Sequence, residues 1–456
     1  MFKKLSIKGL RGFAREGILK PAMPNGAHGS GRTVITGPNN SGKSTIIEAF
    51  KFLGSVHRDP SFHVDLRNVN SDSVTIIATT TDGQFTIKSL RPGSSSTIYD
   101  PKCSTLPYVI PSRRYFSPYF GRGSVGPRED FIRDHSSHAE VREQTLSRFE
   151  SRLFRVEMDK EKFDPVLKRV IPDFLDWSID QDEHSQYFIK LISKTGTHSF
   201  HGVGDGIISL FVIVAALYDP PIGDVIVIDE PELSLHPRLQ RNLSELIDEY
   251  ASERQIIIST HSPYFVSHAA LQSGGQIIRV WERENSIVVY QLSIESCPAL
   301  SRLITTNSNN PHLFGLDAKE VFFEDDPLVL LEGQEDVVFW PQVDPENLVG
   351  RSSIFGWGSG GAANMKNVCA VVEALGHRKV VGILDNNRPA DLQQLRKQFP
   401  NYRFFELPAP DIRSKRRREA RDAVEGLLDG QGSVRAHLAL GLDGLLREIR
   451  RFLDAG

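Results

Sequence analysis

The sequence predicts an α/β protein in two parts, each built on a buried parallel sheet. Three observations predict it. Residues 34–45 read as the end of a strand, a Gly-rich loop and a helix. Val225–Ile228 and Ile256–Ile258 are unbroken apolar runs, the mark of central parallel strands covered on both faces. After Leu300 the chain crosses a polar, turn-rich stretch, Thr305–Pro311, and a second alternation of strands and helices begins.

The strand–loop–helix comes first. Gly37 to Ser44 matches G-x-x-x-x-G-K-[ST], and Ile46, Ile47, Ala49, Phe50 and Leu53 follow at helical spacing. Gly37 and Gly42 let the backbone curl so that N–H groups of Asn39, Asn40, Ser41, Gly42, Lys43, Ser44 and Thr45 surround an anion. The helix N-terminus adds its partial positive charge. Lys43 is expected on the β/γ-phosphates of a nucleotide, and the Ser44 hydroxyl on Mg²⁺.

Composition bounds the rest. At 456 residues the chain has room for two or three domains. Net charge is −3, so a nucleic-acid site would have to be a local patch. Cys103, Cys297 and Cys369 lack metal-ligand spacing, which fits a reducing cytoplasm and argues against zinc or a disulfide framework. Met1–Lys20 carries basic residues throughout and does not read as a signal peptide. The longest apolar run, Ile207–Tyr218, is about half the length of a membrane span and reads as a buried helix.

In chain order, Leu5–Phe13 reads as an edge strand and turn. Val74–Ala78 and Gln84–Ser89 flank Asp82-Gly83, a hairpin signal. Tyr108–Tyr115 reads as a strand ending in a basic turn, and residues 129–176 as a charged helical insertion. Val225–Ile228 ends in Asp229-Glu230. Asp229 is expected in the Mg²⁺ shell, and Glu230 as the carboxylate that orients the attacking water. Gln255–Pro263 is a strand ending in His261, at the edge where doubly wound sheets bind ligands, a place from which to sense the γ-phosphate.

Together, Gly37–Ser44, Asp229–Glu230, Glu232–Pro237 and Thr260-His261-Ser262-Pro263 resemble an ABC-type ATPase, in the branch of RecF, SMC and OLD (overcoming lysogenisation defect) proteins. Leu5–Phe13 resembles the opening strand of that branch, and the resemblance covers roughly residues 1–300. It implies ATP bound between two heads, hence a homodimer or larger even assembly. The partner's site would be completed by a signature loop, here His201–Leu210 with Gly204 and Gly206 facing the γ-phosphate. That loop departs from the usual Ser-containing form: no Ser precedes the glycines, and Ser209 stands a turn further on. Gln84 and the Arg113–Arg114 turn are both candidates for the Q-loop.

In the second part, Pro327–Leu331 reads as a buried strand ending in Glu332-Gly333, with Asp336 opening a helix. Gly358–Ala363 is a Gly/Ala-rich turn, Asn364–Leu375 a helix, and Lys379–Leu384 a strand ending in Asp385. Side by side, the two strands would bring Glu332 and Asp385 to one hard divalent ion. Roughly residues 325–430 resemble a TOPRIM domain, the metal-dependent module of topoisomerases, primases and OLD nucleases. The resemblance implies Mg²⁺, or Mn²⁺, held by Glu332, Asp336 and Asp385. Where the family has Asp-x-Asp, this chain has Asp385-Asn386-Asn387. The basic run Arg413–Arg418 is a solvated face or a phosphate-backbone contact. Glu425 lies where OLD relatives carry a further acidic residue, and Leu438–Leu453 reads as an amphipathic closing helix.

The expected organisation is therefore an ABC-type ATPase head over 1–305, then a smaller Rossmann-like TOPRIM domain over 320–456. By the resemblance, its role would be that of an ATP-regulated, metal-dependent nuclease in antiphage defence or DNA processing. The alternative is a sensing or scaffolding ATPase whose second domain does not cleave and binds a partner effector. DNA or RNA and a partner protein are the expected partners, with no membrane.

Overall fold

The computed structural model describes residues 1–54, 61–101, 103–112, 149–171, 176–193, 196–199, 205–218, 224–300, 327–344, 353–355, 358–415 and 423–454. The chain divides into two compact units, Met1–Ser293 and Ile294–Gly456. The stretch 305–320, where the sequence suggested the boundary, lies outside the described residues.

The first unit runs Phe2–Lys8 (β1), Gly17–Leu19 (β2), Arg32–Thr36 (β3), Lys43–Gly54 (α1), Thr75–Thr80 (β4), Gln84–Ser89 (β5), Thr97–Tyr99 (β6) and Tyr108–Ile110 (β7). Helices Phe149–Met158 (α2) and Lys160–Val170 (α3) lead to Asp176–Gln181 (β8), Tyr187–Ser193 (β9) and Gly196–Ser199 (β10). Then come Asp205–Tyr218 (α4), Val225–Asp229 (β11), Pro237–Tyr250 (α5), Gln255–Ser259 (β12), His268–Gln272 (α6), Gln276–Arg283 (β13) and Ser286–Leu292 (β14).

The central sheet has the order β14-β13-β3-β12-β11-β7. β12 pairs parallel with both β3 and β11, in the register Ser259↔Ile35 and Asp229↔Ser259. The carboxyl ends of the three strands therefore lie along one edge. Alternation sends their side chains to opposite faces. Val225, Val227 and Ile257 join one apolar cluster, with Phe50 and Leu53 of α1. Ile226, Ile228, Ile256 and Ile258 join the other, with Phe211 and Leu243. α4 is apolar nearly all round and correspondingly buried, from Leu210 to Leu217.

Below one face lies a second, antiparallel sheet of order β2-β1-β4-β5-β6. The hairpin at Asp82-Gly83 is present, with Ala78 opposite Phe85. β1 is not the edge strand that its sequence suggested: it pairs with β2 through Leu5↔Leu19 and with β4 through Leu5↔Ala78. One partner is over seventy residues away, and a local pattern carries no trace of it. In the insertion, 129–148 and 172–175 lie outside the described residues, and α2 and α3 pack through Leu153, Phe163 and Leu167.

A buried ion pair ties β3 to α5. The Arg32 guanidinium meets Asp248, donates to Ser244 O at 3.1 Å and to Phe265 O at 2.6 Å. The two side chains are only 1% and 7% exposed, so each charge depends on the other.

The second unit contains Leu328–Leu331 (β15), Gln334–Val343 (α7), Ser353–Ile354 (β16), Ala362–Ala374 (α8), Val380–Leu384 (β17), Pro389–Gln398 (α9), Arg403–Glu406 (β18) and Ala436–Asp454 (α10). Its sheet is parallel, in the order β16-β15-β17-β18. β15 and β17 are neighbours, with Leu331 opposite Ile383. Leu442, Leu446, Ile449 and Leu453 of α10 close one face over Val329, Leu331 and Val381.

Candidate functional site

The loop between β3 and α1 is shaped by its backbone. Gly37 has φ 146° and Gly42 φ 101°, and Asn40 adopts φ 63°. A Cβ on Gly37 would stand 2.3 Å from Val280 O, so only glycine fits there. The Gly42 carbonyl accepts from Thr45 N at 3.1 Å and Ile46 N at 3.2 Å, which starts the helix. Asn39, Asn40 and Ser44 are exposed at the loop mouth, while Ser41, Lys43 and Thr45 are buried. Ser41 Oγ is buried and has no hydrogen-bond partner among the described residues.

Lys43 Nζ donates to Gly37 O at 2.9 Å and to Pro38 O at 2.7 Å, across the curl of the loop. Burial lowers its pKa to about 8, against the pull of Glu230, Asp229 and Glu232. A cation held in a half-dry loop beside three carboxylates is poised to take up phosphate oxygens.

Two strands over, Asp229 ends β11 nearly buried. Glu230 takes φ 45°, an uncommon conformation for a non-glycine residue, and its N–H donates to Ser259 O at 2.8 Å. That turn swings its carboxylate toward β12, where Glu230 Oε1 lies 3.9 Å from His261 Nε2. Burial, reinforced by Lys43, lowers the His261 pKa below its ordinary value, opposed by Glu230. Lys43, Asp229, Glu230 and His261, picked out from three separate stretches of sequence, thus share one edge of one sheet.

The other sequence-derived positions divide. Gly204 lies outside the described residues. Gly206 opens α4, and a Cβ there would meet Ser234 O at 2.3 Å, so the helix start is pressed against the loop after β11. Gln84 belongs to the antiparallel sheet, opposite Thr79, and not to the sheet of the Gly-rich loop. Arg113 and Arg114 lie outside the described residues. One residue that the sequence reading gave no role of its own is Glu232. Its carboxylate accepts from Thr260 Oγ1 at 2.8 Å and from His261 N at 2.6 Å.

In the second unit, Glu332 and Asp385 stand at the carboxyl ends of adjacent strands, and Glu332 Oε2 accepts from Asp385 N at 3.2 Å. Asp336 Oδ2 accepts from Gly333 N at 2.7 Å, capping α7. Burial, then Asp336, Glu332 and Asp411, push the Asp385 pKa up to about 8. Burial, with Glu332 and Asp411, likewise raises Asp336 to about 6. Among the described residues no group of three or more His, Cys, Asp or Glu side chains is arranged to hold a metal ion. Asp385 Oδ1 is nevertheless buried without a hydrogen-bond partner among the described residues, and the concentration of carboxylates suits a hard cation.

Asp411, absent from the sequence reading, lies beyond the end of β18, the next strand in the sheet. Glu425 stands 3.0 Å from Arg435 in an ion pair of its own. Asn387 Nδ2 donates to Pro410 O at 2.9 Å. Of the basic run, Arg413 pairs with Glu335 and Lys415 with Asp411 and Glu335, while 416–418 lie outside the described residues. These two cations are engaged by acids of the same unit, a pairing that the sequence order did not announce. Cys103, Cys297 and Cys369 are free and buried. Among the described residues no helix is long and apolar enough to cross a membrane.

No curated protein matches the chain. Among solved structures it is similar to an Smc head bound to the C-winged-helix domain of ScpA, at 15% identity over 65% of this chain and 98% of that one, TM-score 0.43. It is also similar to an Smc head with an extended coiled coil bound to the C-terminal domain of ScpA from Pyrococcus furiosus, at 14% identity over 67% and 99%, TM-score 0.45. A third is the SMC head domain from Thermotoga maritima, at 16% identity over 64% and 99%, TM-score 0.35. Residues 32–267 match the family described as "AAA domain, putative AbiEii toxin, Type IV TA system". That span is more than half of the chain, it holds the Gly-rich loop, Asp229, Glu230 and His261, and the chain belongs to this family: it is a P-loop ATPase.

Proposed function

We propose that this ATPase is an OLD-like, ATP-regulated and metal-dependent nuclease whose second unit is a TOPRIM-like domain. In the first unit, Gly37 to Thr45 hold the triphosphate, with Lys43 on the β/γ-phosphates. Ser44 and Asp229 hold its Mg²⁺, and Glu230 orients water while His261 faces the γ-phosphate. Two heads close on ATP head to tail, each supplying Gly204 and Gly206 to the other. The family description names a toxin of a toxin–antitoxin system, which supports a role in antiphage defence under the control of a partner protein.

The observation that carries the nuclease reading is the contact between Glu332 and Asp385 at the ends of two adjacent parallel strands. With Asp411 nearby as well, burial and the surrounding carboxylates raise the proton affinity of Asp385 and Asp336. A divalent cation relieves that repulsion, and one or two carboxylates with water and phosphate oxygens suffice to hold it. When bound, the ion would act as a Lewis acid on a phosphodiester. The test is nicking of supercoiled plasmid by the full chain with ATP and Mg²⁺ or Mn²⁺, against Glu332→Ala. Weak, Mn²⁺-favoured nicking that Glu332→Ala abolishes is expected.

One observation favours a second reading. Asn387 donates its amide to Pro410 O where the resemblance leads one to expect a carboxylate. A domain with one charge fewer, and with Lys415 already on Asp411, is suited to binding a partner effector without cleaving. Nicking unchanged by Glu332→Ala, or none with either metal, selects this reading.

A further inference from the structure

We infer that Glu232 is the positioning residue of the ATP site: its carboxylate clamps the loop after β12 to the loop after β11 and so sets His261 against Glu230. The inference rests on the proposed roles of Glu230 and His261.

The two loops are joined at two levels. Glu230 N–H bonds to Ser259 O at the strand ends. One turn further on, both oxygens of Glu232 reach across: Oε2 takes the Thr260 hydroxyl and Oε1 takes the His261 backbone N–H. The network continues. Thr260 Oγ1 accepts from Ser262 N at 2.9 Å, Ser262 Oγ donates to Gln240 Oε1 at 2.6 Å, and Gln240 Nε2 returns to Leu235 O at 2.8 Å. A ring of hydrogen bonds thus runs from the loop after β11, through the loop after β12 and α5, back to where it began. Thr260 is fully buried and Ser262 nearly so.

The clamp fixes the backbone N–H next to the Cα from which the His261 side chain departs. Without it, the 3.9 Å between Glu230 Oε1 and His261 Nε2 is no longer set. A misplacement of about 1 Å away from the chemistry can cost roughly a hundredfold in rate. The carboxylate acts here as a pair of acceptors, not as a base. Glutamine keeps one acceptor and the length, so Glu232→Gln should preserve most of the function, while Glu232→Ala severs both bonds.

The test uses the full chain and compares steady-state ATP hydrolysis with nucleotide affinity measured by calorimetry. Glu232→Ala should lower kcat about ten- to a hundredfold, with KM and ATP affinity within about twofold of wild type. Glu232→Gln should retain kcat within about fivefold. Combined with His261→Ala, Glu232→Ala should cost little beyond the single His261→Ala loss, because both act through one side chain. Wild-type kcat in Glu232→Ala overturns the inference, as does full additivity in the double variant. Glu232→Gln as inert as Glu230→Gln would overturn it too, by making Glu232 a group that needs its charge. Should Glu232→Ala fail to fold, Glu232→Met, which keeps the side-chain length and removes both acceptors, takes its place alone and combined with His261→Ala, and is judged by the same criteria. A Glu230→Gln that hydrolyses ATP normally would refute the proposed catalytic role instead, and leave the clamp to be judged by its own cycle.

Discussion

Lys43 and Gly37 face each other across the curl of the phosphate loop, with Nζ donating to the carbonyl oxygen at 2.9 Å. The ammonium is thus held inside the loop before any phosphate arrives. Lys43→Ala should weaken ATP binding about ten- to a hundredfold, the worth of a charge-assisted contact. Glu230→Gln should keep ATP bound and slow hydrolysis about a hundredfold or more. Calorimetry with ATP and a phosphate-release assay separate the two; normal turnover in Glu230→Gln removes Glu230 from the chemistry.

The pH dependence of stability reports on His261. Burial and Lys43 hold its imidazole pKa below the ordinary 6.5. Between the two values the unfolded chain binds the proton more readily than the folded one. The neutral imidazole's contribution is therefore complete above about pH 6.5 and is lost as pH falls through the folded value. Thermal midpoints of wild type minus His261→Asn should be constant from pH 8 to 7 and shrink below about 6.5. A difference that stays flat down to pH 5 means that the imidazole titrates alike in both states.

Assembly should follow nucleotide state. On the proposed head-to-tail arrangement, Glu230→Gln with ATP is expected to shift to a larger species in light scattering than without nucleotide. An ATP-saturated monomer at micromolar concentration is incompatible with a site shared between heads.

Metal binding should depend on Asp385. Calorimetry of Mn²⁺ with the full chain is expected to lose its heat signal in Asp385→Ala. Asn387→Asp should gain affinity about tenfold, through the added charge, after giving up the amide bond to Pro410 O. Equal Mn²⁺ affinity in wild type and Asp385→Ala makes Asp385 no ligand, and the second unit a platform for a partner.

Some of this was legible in the residues and some was not. Gly37, Gly42 and Lys43 lie within seven positions, and a loop of that length has few ways to close. Val225–Ile228 and Ile256–Ile258 were legible because they are short, β-branched apolar runs bounded by polar residues, which suit strands covered on both faces. The pairing of β1 with β2 and β4 was not, nor was Asp411 as a member of the acidic group. The ion pairs of Arg413 and Lys415 were equally hidden, since Glu335 is 78 residues from Arg413.

What the sequence alone determined is therefore the set of chemical groups and their place on local elements: which strands end in Asp229, Glu230, His261, Glu332 and Asp385. The tertiary structure decided which of those ends meet. Glu232 reaches Thr260 and His261 across separations of 28 and 29 residues. Such a bond exists only because β11 and β12 pair in one register. The physical reason is one of range: periodicity and turn chemistry act over a few residues, while strand pairing and burial join positions that the chain keeps far apart.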